Sequence, residues 1–221
     1  MEHIVKILDI KEAANQVKSF RLEKPTGYTF NPGQATDVSV NTEALKSELR
    51  PFTFTCLTGD PFLEFTIKRY PDHHGITDAI HRLKIGDELI IRDVWGAIEY
   101  KGPGYFIAGG AGITPFLAIL RWLHKENKLV GNKLLFSNKT VADIIYEKEL
   151  QAMLGKEVLF ILTREEKQGY LKGPINKAFL QEYANDSSRH YYICGPDAMV
   201  ADLNETVTQL GAAPDAVVFE K

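Results

Sequence analysis

The stretch Tyr105-Phe106-Ile107-Ala108-Gly109-Gly110-Ala111-Gly112-Ile113-Thr114-Pro115 decides the fold. Four apolar residues of strand type run into a glycine-rich turn. The chain then enters a segment with Phe116, Ile119, Leu120 and Leu123 on one side of a helix. Strand, glycine turn and helix in that order make an anion site: the glycines let the backbone approach a pyrophosphate, and the unsatisfied N–H groups at the helix start face it. Pro115 suits the first helical position, where its missing N–H costs nothing. The loop departs from the G-x-G-x-x-G pattern because Pro115 stands in place of the third glycine. The next strand ends at Ser137-Asn138-Lys139, without the Asp or Glu that grips a ribose 2′-hydroxyl in ordinary Rossmann dehydrogenases.

Downstream of this stretch the rhythm repeats. Residues 133–137, 157–163, 190–194 and 216–219 read as strands, and 146–154, 174–183 and 196–210 as helices. A parallel sheet covered by helices is the expected result. Upstream of Lys101-Gly102-Pro103-Gly104 the pattern changes. Short alternating or β-branched runs at 3–10, 17–23, 36–40, 52–58, 62–69 and 88–92 are separated by turns such as Pro25-Thr26-Gly27, Pro32-Gly33 and Gly59-Asp60-Pro61. Such runs predict an antiparallel sandwich or barrel. One helix interrupts them, capped by Thr77 and presenting Ala79, Ile80 and Leu83. Two domains are expected, 1–101 and 102–221.

Composition narrows the function. The 221 residues are 44% hydrophobic and 25% charged, with a net charge of −3 and no long run of one sign. A nucleic-acid binder would show a basic stripe. No stretch approaches a membrane span or the core of a signal peptide, so a cytoplasmic location is the default expectation. Cys56 and Cys194 are the only cysteines in the sequence, too few for a four-cysteine iron–sulfur cluster within this chain. If electrons leave this chain singly, another protein must carry the metal centre.

Five short segments, in this order, resemble the ferredoxin–NADP⁺ reductase family. They are Phe30-Asn31-Pro32-Gly33-Gln34, Arg50-Pro51-Phe52-Thr53, Gly75-Ile76-Thr77, the 109–115 loop, and Cys194-Gly195-Pro196. The resemblance implies an N-terminal six-stranded antiparallel flavin-binding β-barrel and a C-terminal parallel-sheet α/β domain for the nicotinamide nucleotide. It also implies an enzyme that takes hydride from NAD(P)H onto FAD and passes single electrons to a ferredoxin or flavodoxin. Alternatives are reduction of a small molecule (free flavin, a quinone or a ferric chelate) and a non-catalytic flavin-bearing subunit.

Site residues follow from the same resemblance. Arg50 would hold flavin phosphate through its planar fork, Phe52 would stack on the isoalloxazine, and the Thr53 hydroxyl would bond near flavin N5. Phe52 replaces the family's tyrosine, so a phenolic hydrogen bond is lost. Pro51, Ile67 and Lys68 complete the flavin side. Gly75, Ile76 and Thr77 would cradle the flavin pyrophosphate at a helix start, which implies FAD; FMN is the runner-up. Gly110, Ala111, Gly112, Ile113, Thr114 and Pro115 would hold the nicotinamide nucleotide. Cys194, with Gly195 and Pro196, would lie beside the reacting nicotinamide carbon, and Glu220 would reach the flavin as a polar contact or proton relay. Thr163, Arg164 and Tyr170 would surround a 2′-phosphate and adenine, favouring NADPH over NADH, against the field of Glu165 and Glu166. Asp72-His73-His74 is discounted as a metal site, because adjacent histidines in a strand point to opposite faces.

Overall fold

The computed structural model describes residues 1–71, 75–96, 98–213 and 217–219. Six strands form the first sheet: β1 (His3–Ala14), β2 (Val17–Glu23), β3 (Ala35–Val40), β4 (Arg50–Thr53), β5 (Phe62–Lys68) and β6 (Glu88–Trp95). Their order is β4-β3-β6-β1-β2-β5, with every pairing antiparallel. A Phe54↔Phe65 bridge and the Thr55 N–H donating to the Glu64 carbonyl at 2.9 Å join the two ends into a barrel. Inside it, alternate residues of each strand (Val5, Ile7, Phe20, Leu22, Leu63, Phe65) and Phe54 pack as one core.

The second sheet is parallel, in the order β10-β9-β8-β7-β11-β12. Its strands are β7 (Gly104–Gly109), β8 (Lys133–Asn138), β9 (Val158–Leu162), β10 (Leu171–Lys172), β11 (His190–Cys194) and β12 (Val217–Phe219). The helices are α1 (Ile76–His81) in the barrel, then α2 (Thr114–Lys125), α3 (Glu147–Leu154), α4 (Lys177–Tyr183) and α5 (Asp197–Gln209). Strand alternation sorts the core by face. Phe106, Ala108, Leu134 and Phe136 pack under α2 and α3 with Phe116, Leu120 and Leu150. Tyr105, Ile107, Leu135 and Ile161 pack under α4 and α5 with Leu180, Leu203 and Val207. Both faces being covered explains why these strands are continuously apolar. Val17 of the barrel belongs to the α2-side cluster, so apolar packing runs across the junction of the two sheets. Among the described residues, no helix is long and apolar enough to cross a membrane.

The two-sheet architecture agrees with the sequence reading, and the differences are local. The strand expected at 52–58 is β4, Arg50–Thr53, followed only by the Phe54 bridge. Pro51 is tolerated there because β4 lies at the end of the hydrogen-bonded order. The first helix is not capped by Thr77. Its N-cap is Gly75, in an extended conformation, and Thr77 lies within the first turn without a capping bond. Helix α2 starts at Thr114, which moves Pro115 to the second position; that N–H is one of the four with no intrahelical partner in any case. Helix α4 starts after Asn176 instead of at Pro174, because the Asn176 Oδ1 accepts from the Phe179 N–H at 3.0 Å.

Candidate functional site

The glycine loop is built by its neighbours. Gly110 has φ +53, the left-handed region that glycine enters without a Cβ penalty, and it opens a short 3-10 turn over Gly110–Ile113 that feeds α2. Gly112 packs directly on the end of β11: a Cβ there would stand 2.3 Å from the Cys194 carbonyl oxygen and 2.6 Å from the Gly195 nitrogen. Ile113 is fully buried under the sheet. The Thr114 hydroxyl donates back to the Ala111 carbonyl at 3.0 Å, which fixes the turn. The loop thereby presents backbone at the end of β7, beside a buried Cys194.

In front of the loop lies a cleft of about 320 Å³ between the two sheets. Gly109, Gly110 and Ala111 form its floor, Pro196 and Met199 one wall, and Ser137, Asn138, Lys139 and Thr163 the strand ends beyond. The barrel closes it with Lys68 and Tyr70. The Lys68 ammonium lies 3.9 Å from where a Cβ on Gly110 would stand, so a cation from the first sheet sits over the turn of the second. Lys68, Tyr70, Lys139 and Asp143 continue into a neighbouring niche that adds Arg69, Thr140 and Arg164. Arg69 is paired with Asp78 at 2.7 Å, whereas Lys68, Lys139 and Arg164 have no salt bridge among the described residues. Asp143 is held below the ordinary carboxylate range: burial would raise it, but hydrogen bonds from Thr140 and Asn15 win. Asp143 thus keeps its negative charge, but Lys68, Lys139 and Arg164 outnumber it, and the niche is left with a positive excess suited to phosphate.

The flavin-side residues stand on one edge of the barrel. Arg50 is exposed, and its guanidinium donates to the neighbouring Leu49 carbonyl at 2.8 Å. Phe52 is half-buried, packed against the barrel core with its ring 6.2 Å from that of Phe65. Thr53 is buried opposite Ala35, on the other face of β4, as alternation requires. These features fit a flavin: a cation without a carboxylate partner among the described residues, a half-buried aromatic ring and a sheltered hydroxyl on one strand. The helix start at Gly75–Thr77 fits less simply. Asp78 in the first turn is an anion where a phosphate would come, and it is compensated by Arg69 and by Arg82. Ile67 is buried in the barrel core, where its carbonyl meets the His81 Nε2 at 2.8 Å.

Several expectations change or fall outside the structure. Tyr170 lines neither the cleft nor the niche. It packs 6.4 Å from Phe160 on the α3 side and donates to Glu147, whose carboxylate pushes the phenol up to about 12. Glu220 and Asp72-His73-His74 lie outside the described residues. Two features went unread in the sequence. Lys139 joins Arg164 in the niche, and its signal was available as a cation directly after a strand end. Asn138, 5% exposed, has no hydrogen-bond partner among the described residues for either side-chain amide atom, although its backbone carbonyl accepts from Thr163. Nothing in a lone Asn marks it as orphaned before the fold is known.

Residues 106–205 match the family described as oxidoreductase NAD-binding domain. A ferredoxin–NAD(P)⁺ reductase component of a naphthalene 1,2-dioxygenase/salicylate 5-hydroxylase system from Ralstonia sp. is 26% identical over 93% of this chain and 64% of its own length. NADH-cytochrome b5 reductase 1 of Eremothecium gossypii is 30% identical over 75% of this chain and 63% of its own. The chain thus spans under two thirds of the length of the curated relatives it matches. Among solved structures, the ferredoxin NADP⁺ reductase of Neisseria gonorrhoeae with bound FAD and NADP superposes with a TM-score of 0.84 at 19% identity, covering 99% of this chain and 98% of that one. The FAD/NAD-binding domain of nitric oxide dioxygenase from Vibrio cholerae gives 0.87 at 21% identity over 98% and 97%. The fold is that of these two-sheet reductases, and the resemblance to the ferredoxin–NADP⁺ reductase family read from the sequence holds.

Proposed function

We propose that this chain is a flavin-dependent oxidoreductase that takes hydride from NAD(P)H and passes single electrons to a separate protein, a ferredoxin or flavodoxin. The observation that supports it most is the cleft itself, where a glycine turn seated on Cys194 meets Lys68 from the barrel. The Ralstonia relative, named as the reductase component of a dioxygenase system, points the same way.

The flavin, when bound, supplies the hydride acceptance and the stepwise electron release. The chain's own residues bind, orient and shield. Backbone N–H groups over 110–114 and the Lys68 ammonium hold the nucleotide pyrophosphate from two sides. Arg164 and Lys139 hold a 2′-phosphate, which makes NADPH the preferred donor. Arg50 holds flavin phosphate, Phe52 stacks on the ring, and the Thr53 hydroxyl hydrogen-bonds at its polar edge, so FAD is the expected cofactor. Cys194, buried at the end of β11, positions the nicotinamide and excludes water without forming a covalent bond. Stopped-flow reduction by NADPH and by NADH, followed by mixing with ferredoxin and flavodoxin, tests donor and acceptor in one series. Failure of both carriers to oxidise the reduced protein would remove the acceptor assignment.

A further inference from the structure

We propose that Arg121 is a positioning residue: it locks α2 against the barrel so that Lys68 and the glycine loop stay in register for hydride transfer. The inference rests on the functional reading above. Arg121 sits seven residues beyond Thr114 on the helix that the loop opens, about 10 Å along its axis and nearly on the same face. Its Nη1 donates to the Glu64 Oε1 at 2.9 Å and to the Thr55 carbonyl, both on the barrel. Nε and Nη2 grip both oxygens of Glu149 on α3 at 2.6 and 2.9 Å. A planar fork tied to three groups on three segments has little freedom to pivot.

Glu64 is the barrel's half of the lock. Its side chain is 5% exposed, it accepts from Arg21 at 3.1 Å and from the Thr55 hydroxyl at 3.0 Å, and it stands four residues before Lys68 on the same strand. Strand β5 therefore meets the loop–helix unit at two points about 13 Å apart, Lys68 over Gly110 and Glu64 on Arg121. One point of contact would let α2 rotate about it; two points fix the angle. A hydride donor and acceptor misplaced by about 1 Å lose on the order of a hundred-fold in rate. A lock this far from the loop acts on that distance without touching either cofactor.

The test uses the FAD-loaded full chain and measures flavin bleaching under saturating NADPH, NADP⁺ affinity and a melting curve. Arg121→Met leaves the Glu64 carboxylate buried beside only one arginine, so its melting temperature should fall. Arg121→Met/Glu64→Leu removes that stranded charge and should recover much of it, while Arg121→Lys keeps the charge but gives up the fork. Rates are read far below every melting transition, so the folded fraction does not enter. Expected is a loss of at least about tenfold in bleaching rate for the Met single and double variants and several-fold for Lys, measured with the nucleotide saturating, and a weaker NADP⁺ affinity as Lys68 moves relative to the loop. A double variant that bleaches at the parent rate overturns the proposal. A parent protein that NADPH does not bleach would instead refute the functional reading.

Discussion

The carbonyl oxygen of Cys194 lies 2.3 Å from the point where a Cβ on Gly112 would stand, so the glycine loop and the end of β11 are one packed unit. A methyl group there must push the loop off the strand or push the strand end away. Gly112→Ala should therefore cost about 1–3 kcal/mol in stability. It should also weaken NADP⁺ binding tenfold or more, because the N–H groups of the turn move with it. A melting curve and a binding isotherm check both. Parent values for both would mean that the loop does not depend on this contact.

The basic niche makes a separate prediction about donor choice. Arg164 and Lys139 line it and have no salt bridge among the described residues. Arg164→Ala should weaken NADPH by about 1.5–3 kcal/mol, roughly ten- to a hundred-fold, and leave NADH nearly unchanged. Lys139→Ala should act in the same direction and more weakly, since a point charge lacks the bidentate fork. Steady-state KM values for the two nucleotides decide it. Equal changes for both donors would place the 2′-phosphate elsewhere.

Cys194 separates chemistry from folding. It is 5% exposed and packs in the α2-side core, so a structural role and a positioning role differ in what they predict. Cys194→Ser is close to isosteric and should preserve FAD content and nucleotide affinity while slowing hydride transfer, by up to about a hundred-fold if the nicotinamide shifts by about 1 Å. Single-turnover bleaching beside a melting curve gives the answer. An unchanged bleaching rate with a lower melting temperature would remove Cys194 from the reacting site.

Glu64 predicts a pH dependence of stability. Burial pushes its carboxyl up, but the Arg121 charge and the hydrogen bonds from Arg121, Arg21 and Thr55 outweigh that and hold it below 4.5. A depressed folded-state pKa contributes stability that is fully present above the unfolded value and is lost as pH falls through the folded one. The parent should therefore lose stability below about pH 4.5, where Glu64→Gln has no such proton to take up. Urea unfolding from neutral pH down through the carboxylate range compares the two slopes. Parallel slopes would mean that the Glu64 charge does not stabilise the junction.

The sequence made the order of the second sheet's elements legible because each strand is an apolar run and each helix has a strong period, as in 105–108 and 116–123. Barrel strands with alternating patterns were nearly as clear, β2 to the residue. What stayed hidden depends on long-range contact. Arg121 and Glu64 are 57 positions apart, and each alone reads as an ordinary charge on a helix or a strand. The N-cap at Gly75 was missed because Thr77 is the stronger capping residue by type, yet the extended backbone at Gly75 starts the helix sooner. The two-residue strand β10 was likewise unreadable, since two residues carry no periodicity.

The most direct measurement of the central claim is an anaerobic titration of the purified chain, loaded with FAD, by NADPH. The account predicts that the protein retains FAD through Arg50, Phe52 and Thr53, that stoichiometric NADPH bleaches the flavin, and that added ferredoxin or flavodoxin restores the colour. A chain that binds neither FAD nor FMN, or a bound flavin that neither NADPH nor NADH reduces, would contradict it.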